Sequence, residues 1–173
     1  MTTAAPRSAV PRPAAPPRTS VRRARDDDAE ALHALSRHFF RCGALRERPL
    51  ALYAADAADF LVAERAGGGL AGCLGLRVHP RGPDGPRGVL YNFCVAPDSQ
   101  GRGVGSALLR AALAEGSARS LRSVFTATGG GGELFLRHGF APAAAGLAPE
   151  EWANALDPRR GSRVLARALT ARG

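Results

Sequence analysis

Gly88-Val-Leu-Tyr-Asn-Phe-Cys-Val-Ala-Pro-Asp-Ser-Gln-Gly-Arg-Gly-Val-Gly-Ser-Ala-Leu-Leu109 reads as a strand, a sharp turn and a helix, and the rest of the fold is placed around it. Val89 to Val95 is mostly apolar and rich in β-branched and aromatic side chains, the pattern of a buried strand. Pro97 ends it, having no N–H for a sheet ladder. Asp98 and Ser99 are turn formers, and from Val104 the apolar residues recur at helical spacing through Ala107, Leu108, Ala111 and Ala112. Between strand and helix lies Gln100-Gly-Arg-Gly-Val-Gly105. Glycines let a ligand approach the main chain, and the free N–H groups of a helix start form a positive nest, so a pyrophosphate fits here. A nucleotide-kinase loop is excluded because Gly-Lys-Ser/Thr is missing. A dinucleotide fingerprint would need its third glycine at Ser106 or Leu108. The plainer alternative is a glycine-rich helix start that binds nothing.

With 173 residues and 45% hydrophobic content the chain is expected to form one globular domain. No stretch approaches the roughly 20 apolar residues of a membrane span, and the first residues lack the apolar core of a secretory leader. A cytoplasmic protein is therefore expected. Cys42, Cys73 and Cys94 are an odd set without metal-ligand spacing, read as reduced thiols, and no metal is expected. The net charge of +9 is carried by arginine alone, since the chain has no lysine. Scattered arginines with few aromatic neighbours argue against a nucleic-acid partner and suit an anionic small molecule better.

Residues 1–19 are Ala, Pro and Arg with almost nothing to bury, a composition expected of a disordered arm. The domain is expected over 20–170. A first strand falls at Ser20 to Arg25, and Asp26 to Asp28 cap a helix carrying Ala29, Leu32, Leu35 and Phe39. Arg37 and Arg41 lie on another side of that helix and read as a solvated face. A short helix is expected from Leu50 to about Ala58, then a hairpin of Phe60 to Arg65 and Leu70 to Val78 turning at Gly67 to Gly69. A loop at Arg81 to Arg87 leads into the central strand. Leu121 to Thr128 reads as a strand, Glu133 to His138 as a short helix with Gly139 as its C′ residue, Pro149 to Leu156 as a small helix and Ser162 to Leu169 as a last strand. The fold class is α/β, a mixed and mostly antiparallel sheet flanked by helices.

Val95-x-Pro97-x-x-Gln100-x-x-Gly103-x-Gly105 resembles the acyl-CoA signature of the GNAT acetyltransferase superfamily, and Glu133-Leu-Phe-Leu-Arg-His-Gly-Phe140 is similar to that superfamily's late helix. The resemblance implies a GNAT fold and acetyl-CoA as acyl donor. It implies that main-chain N–H groups at Phe93, Cys94 and Val95 face the thioester carbonyl. Gln100, Gly101, Arg102, Gly103, Val104 and Gly105 would hold the pyrophosphate, with Ser106 and Phe135 completing the cofactor site. Many members place a tyrosine, as thiolate acid, where this chain has Phe135. Tyr91 is the replacement candidate and Glu64 a candidate proton relay, with His79 beside them. A packed strand tyrosine and a surface carboxylate are the structural alternatives.

Gly43-Ala-Leu-Arg-Glu-Arg48, Phe135-Leu-Arg-His-Gly-Phe140 and Arg159-Arg-Gly-Ser-Arg-Val-Leu165 together resemble the acetyltransferase domain of N-acetylglutamate synthases. That family's late helix also carries Phe. The resemblance implies that Arg160 and Ser162, with Arg46 or Arg48, hold a substrate carboxylate, a role for which the planar guanidinium fork is suited. The family's proposed basic glutamate and acidic serine fall at Val89 and about Gly131, so this chain departs from it there. The expected activity is acetyl transfer to the amine of a small amino acid, glutamate first. Another amine (a peptide N-terminus, polyamine or antibiotic) and a non-catalytic acyl-CoA-binding module are the alternatives, and a homodimer is left open.

Overall fold

A computed structural model describes residues 19–130 and 132–170. Residues 1–18 of the expected arm and Gly131 lie outside the described residues. Seven strands form one sheet in the order β1 (Val21–Arg23), β2 (Phe60–Glu64), β3 (Leu70–His79), β4 (Arg87–Val95), β5 (Ser123–Thr128), β7 (Arg163–Ala168) and β6 (Ala141–Pro142). All neighbours are antiparallel except β4 and β5. The helices are α1 (Ala29–Arg41), α2 (Leu50–Ala55), α3 (Val104–Ala118), α4 (Glu133–Arg137) and α5 (Glu150–Asn154). Sequence patterning located every strand but β6, whose two-residue Ala-Pro pairing has no periodicity to read.

Alternation along the strands sorts the core into two layers. Leu61, Ala63, Leu76 and Leu90 pack under Leu108, Leu109, Ala112 and Leu113 of α3. Phe60 and Val62 face Leu32 of α1 and Tyr53 of α2 on the other side, where Val89 and Phe125 also meet Ala148 and Trp152 of α5. The late helix ends as its Gly139 implied: Gly139 has φ +79, its N–H donates to the Leu136 carbonyl, and the Phe140 N–H donates to that of Phe135. The two phenyl rings meet edge-on at 5.4 Å between centroids, which closes a Schellman turn on the α3 layer.

The entry to α1 is fixed by Asp28. Its carboxylate accepts both Nη groups of Arg22, at 2.7 and 3.0 Å, and the Arg25 main-chain N–H at 2.7 Å. The Arg22 hydrogen bonds hold the Asp28 carboxyl below the usual carboxylate range. A carboxyl depressed on folding contributes stability above its unfolded pKa and loses it as pH falls through the folded value. Urea denaturation between pH 2.5 and 7 is expected to show wild type losing about 1–3 kcal/mol of stability at the acid end that Asp28→Asn lacks at every pH.

Candidate active site

The site forms where β4 stops pairing normally on both edges. Against β3, Cys94 lies opposite Cys73 and Tyr91 opposite Gly75, so three steps of β4 span two of β3. This is a bulge, and Asn92 sits in it with φ +50. A buried polar cluster holds that conformation. The Asn92 amide donates to Ser36 Oγ at 2.8 Å and its carbonyl oxygen accepts the Tyr53 hydroxyl at 3.1 Å. The Cys73 thiol donates to the Asn92 main-chain carbonyl at 3.5 Å. Toward β5 the ladder ends at Val89 and Phe125, so Tyr91 to Val95 have no strand partner on that side.

The glycine-rich turn follows directly. Residues 97–99 form one 3-10 turn, and the Gln100 side-chain amide donates to the Val95 carbonyl at 3.0 Å, bracing the turn against the strand it leaves. Gly101 and Gly103 have φ +71 and +82, and a Cβ on either would meet open space. Their main chain is therefore presented to solvent, followed by the first turn of α3, which no side chain caps. Gly105 has a different reason: a Cβ there would lie 3.0 Å from Leu134 and 3.4 Å from the Phe93 ring. It lets α4 and β4 close on α3. Phe135 is buried between Phe93 and Phe140, with centroids at 5.6 and 5.4 Å. Ser106 lies 3.2 Å from His138 Nε2, and burial together with Arg110, Arg167 and Arg137 lowers the affinity of that imidazole for a proton.

On the opposite face of the sheet a cavity of about 220 Å³ opens between α1 and the segment leading to α2. Arg37, Arg41, Arg46 and Arg48 line it together with His33, Ser36, Glu47 and Tyr53. Ser36 and Tyr53 connect its floor to Asn92 and hence to the bulge. Arg37 and Arg41 are exposed, as a solvated face requires, and the same face also lines this cavity. His33, Ser36, Arg37, Phe40 and Arg41 recur at helical spacing on one stripe of α1, and that stripe is the cavity wall.

The arginines expected at the acceptor end take different positions. Arg46 is on the cavity wall, and its charge, with that of Arg160, adds to the Arg159 hydrogen bonds that hold the Asp157 carboxyl low. Arg160 Nη2 donates to the Gly43 and Ala44 carbonyls at 3.1 and 3.0 Å, so the start of β7 reaches the segment carrying Arg46. Arg48 is stacked on the rings of Tyr53 and Tyr91, at 5.6 and 5.1 Å, and donates to Asp56 at 2.6 Å. Ser162 stands beside Gly129 at the end of β5.

Tyr91 and Glu64 are engaged by other side chains. The Tyr91 hydroxyl donates to Asp59 at 2.9 Å and accepts from Arg77 at 3.2 Å, and burial with the Asp59 charge raises its pKa strongly. Glu64 accepts from Arg22 at 2.8 Å on the edge of the sheet near β1. His79, on the end of β3 paired with Arg87, is at the far end of β4 from the glycine turn.

An uncapped helix start lies on one side of a parted strand pair, and a small cavity lined by four arginines lies on the other. The chain belongs to the Acetyltransferase (GNAT) family, whose match covers residues 28–140. It is 44% identical over 80 residues to a mycothiol acetyltransferase of Cellulomonas flavigena, a match covering 43% of this chain and 23% of that protein. Its fold is similar to N-acetylglutamate synthase from Neisseria gonorrhoeae complexed with coenzyme A and N-acetyl-glutamate. The TM-score is 0.78 at 26% identity, over 88% of this chain and 35% of that one. Rv2747 from Mycobacterium tuberculosis, solved in complex with CoA, shares the fold with a TM-score of 0.73 at 24% identity over 87% and 99% of the two chains. The chain thus spans about a quarter to a third of the length of the mycothiol acetyltransferase and the gonococcal synthase. Among the described residues no helix is long and apolar enough to cross a membrane.

Proposed function

We propose that the protein transfers an acetyl group from acetyl-CoA to the amine of a small anionic amino acid, with glutamate the first candidate. The observation that carries this reading is the cavity of about 220 Å³ walled by four arginines and floored by the side chains that hold the β4 bulge. A cavity of that size and charge favours a small carboxylate and repels a polyamine. The gonococcal synthase, solved with coenzyme A and N-acetyl-glutamate, supports the same pair of ligands.

The glycine turn fits the donor. Main-chain N–H groups from Gly101 to Ser106 would hold the pyrophosphate, because the open, positive-φ glycines leave room for it and α3 offers uncapped donors. Gln100 supports this through the turn rather than by its own contact, and Arg102 adds charge. Residues Phe93 to Val95, freed from β5, would present main-chain donors to the thioester oxygen. Phe135 shapes the wall behind them and donates no proton. Tyr91 and Glu64 are assigned no proton transfer, since Asp59 and Arg22 already engage them. Arg46 and Arg160 would meet the acceptor carboxylate, with Ser162 nearby, while Arg48 stiffens the wall through Asp56 and the tyrosine rings.

A panel of amines incubated with acetyl-CoA and read by mass tests the reading. Glutamate should gain an acetyl group faster than glutamine or spermidine, with amine-dependent release of CoA thiol. Acetyl-CoA binding with no amine-dependent thiol release would leave a non-catalytic acyl-CoA module. Arg46→Ala and Arg160→Ala should each raise KM for glutamate roughly ten- to a hundredfold, the effect of losing one charge-assisted contact of about 1.5–3 kcal/mol. KM for acetyl-CoA should stay unchanged. Arg160→Lys should recover only part, because the ammonium lacks the fork.

A further inference from the structure

Acceptor acetylation needs an amine without its third proton, and the base and acid positions that the resemblance to N-acetylglutamate synthases implies are occupied by Val89 and about Gly131 in this chain. The cavity itself holds two side chains with an atom that can accept a proton, His33 and Glu47. Glu47 is exposed and sits in sequence between Arg46 and Arg48. His33 is half-buried on the cavity stripe of α1, one turn before Ser36, and its ring lies 5.7 Å from that of Tyr53. No hydrogen bond engages either His33 ring nitrogen among the described residues, whereas Ser36 and Tyr53 beside it are tied to Asn92.

We propose that His33 is the general base that deprotonates the acceptor ammonium, an inference that rests on the arginine-lined cavity being the acceptor site. Three features converge on it. An imidazole nitrogen that no hydrogen bond engages offers a lone pair to a proton without a metal or a carboxylate partner. The groups facing it from the surrounding elements are Arg37 and Arg41 of α1, Arg46, Glu47 and Arg48 of the following segment, and Tyr53 of α2. The excess of guanidinium charge disfavours a bound ammonium and eases loss of its proton. Finally, the Ser36–Asn92–Tyr53 floor connects the cavity directly to the bulged stretch of β4.

The step balances simply. His33 takes one proton from the ammonium and becomes imidazolium. The amine lone pair forms the C–N bond to the acetyl carbonyl, the C–S bond breaks, and the departing thiolate takes the second amine proton to leave as thiol. The proton on His33 is returned to solvent.

The test is the pH dependence of kcat/KM for whichever amine of the panel wild type acetylates, glutamate included. Wild type should rise along an acid limb. His33→Gln should lose that limb and fall roughly 100-fold at pH 7.5, with KM for acetyl-CoA and melting temperature unchanged. Added imidazole should restore part of the activity of His33→Ala, and Glu47→Gln should keep the limb. In the absence of acetyl-CoA, the His33 imidazole NMR signals, assigned by their loss in His33→Gln, should shift on adding glutamate. An acid limb that survives in His33→Gln, or one that Glu47→Gln removes, overturns the proposal. Acetylation of an amine other than glutamate removes the glutamate reading and leaves His33 standing. No acetylation of any amine overturns both.

Discussion

Replacing Gly103 with aspartate is expected to weaken acetyl-CoA binding about a hundredfold, whereas Gly103→Asn should keep most of it. Gly103 is the residue before α3, with φ +82 and no neighbour within 4 Å of a built Cβ. Bulk is therefore not the obstacle there, and the left-handed backbone is one that asparagine and aspartate both tolerate better than other side chains. What separates the two variants is charge. Two like charges about 4 Å apart repel by about 4 kcal/mol at an effective dielectric of about 20. Solvent and the adjacent Arg102 reduce this to about 2–3 kcal/mol, or roughly two orders of magnitude in Kd. Gly105→Asp is a poorer probe, because its Cβ would press on Leu134 and Phe93 and disturb α4 as well as the ligand. Calorimetric titration of folded Gly103 variants decides the matter: equal, near-wild-type affinity for Asp and Asn variants would place the pyrophosphate elsewhere.

The same turn shows why much of the fold was legible in the sequence. Proline, paired turn formers and a change from a mostly apolar run to helical spacing are local signals, and they mark β4, the turn and α3 wherever the chain goes afterwards. Gly139 announced the end of α4 in the same way. The bulge was not legible, because Asn92 in an apolar run looks like one more outward-facing strand residue. Its φ of +50 depends on Ser36 and Tyr53, 56 and 39 residues away in sequence. The cavity escaped for a related reason. Arginines on a helix are ordinarily solvated, and only the placement of Arg46 to Arg48 across from α1 turns that stripe into a wall. Tyr91 attracted attention as a tyrosine on the central strand, but the sequence does not reveal that the turn at residues 57–59 delivers Asp59 to its hydroxyl. Resemblance pointed to Arg160, and its reach to the Gly43 and Ala44 carbonyls adds that the turn before β7 is tied to the segment leading to Arg46.

Asn92 should therefore be the most sensitive position in the sheet, and its variants can be ranked in advance. Asn92→Ala removes the acceptor of the Tyr53 hydroxyl and the donor to Ser36, both in a buried setting, and puts a Cβ-bearing residue with no local hydrogen bond at positive φ. The dihedral costs about 1 kcal/mol. Leaving two buried hydroxyls short of a partner costs about 1–3 kcal/mol each, less if the side chains or a water adjust. A total of about 3–5 kcal/mol lowers the melting temperature of a chain this size by roughly 10 °C. Asn92→Gly accepts the dihedral and loses only the hydrogen bonds, so it should lie between wild type and Ala. Asn92→Asp keeps an acceptor for Tyr53 and loses the donor to Ser36, and it buries a carboxylate in place of a neutral amide. If the β4 main chain meets the acyl group as proposed, turnover should fall in all three even at temperatures where they remain folded, because the bulge sets the course of that main chain. Thermal melts monitored by circular dichroism, with kcat measured well below the transition, separate the two effects. If Ala proved as stable as Gly, the left-handed dihedral would not be what Asn92 supplies. If Ala matched wild type, the Ser36–Asn92–Tyr53 cluster would contribute nothing to the bulge, and the geometry of β4 would have to come from the sheet alone.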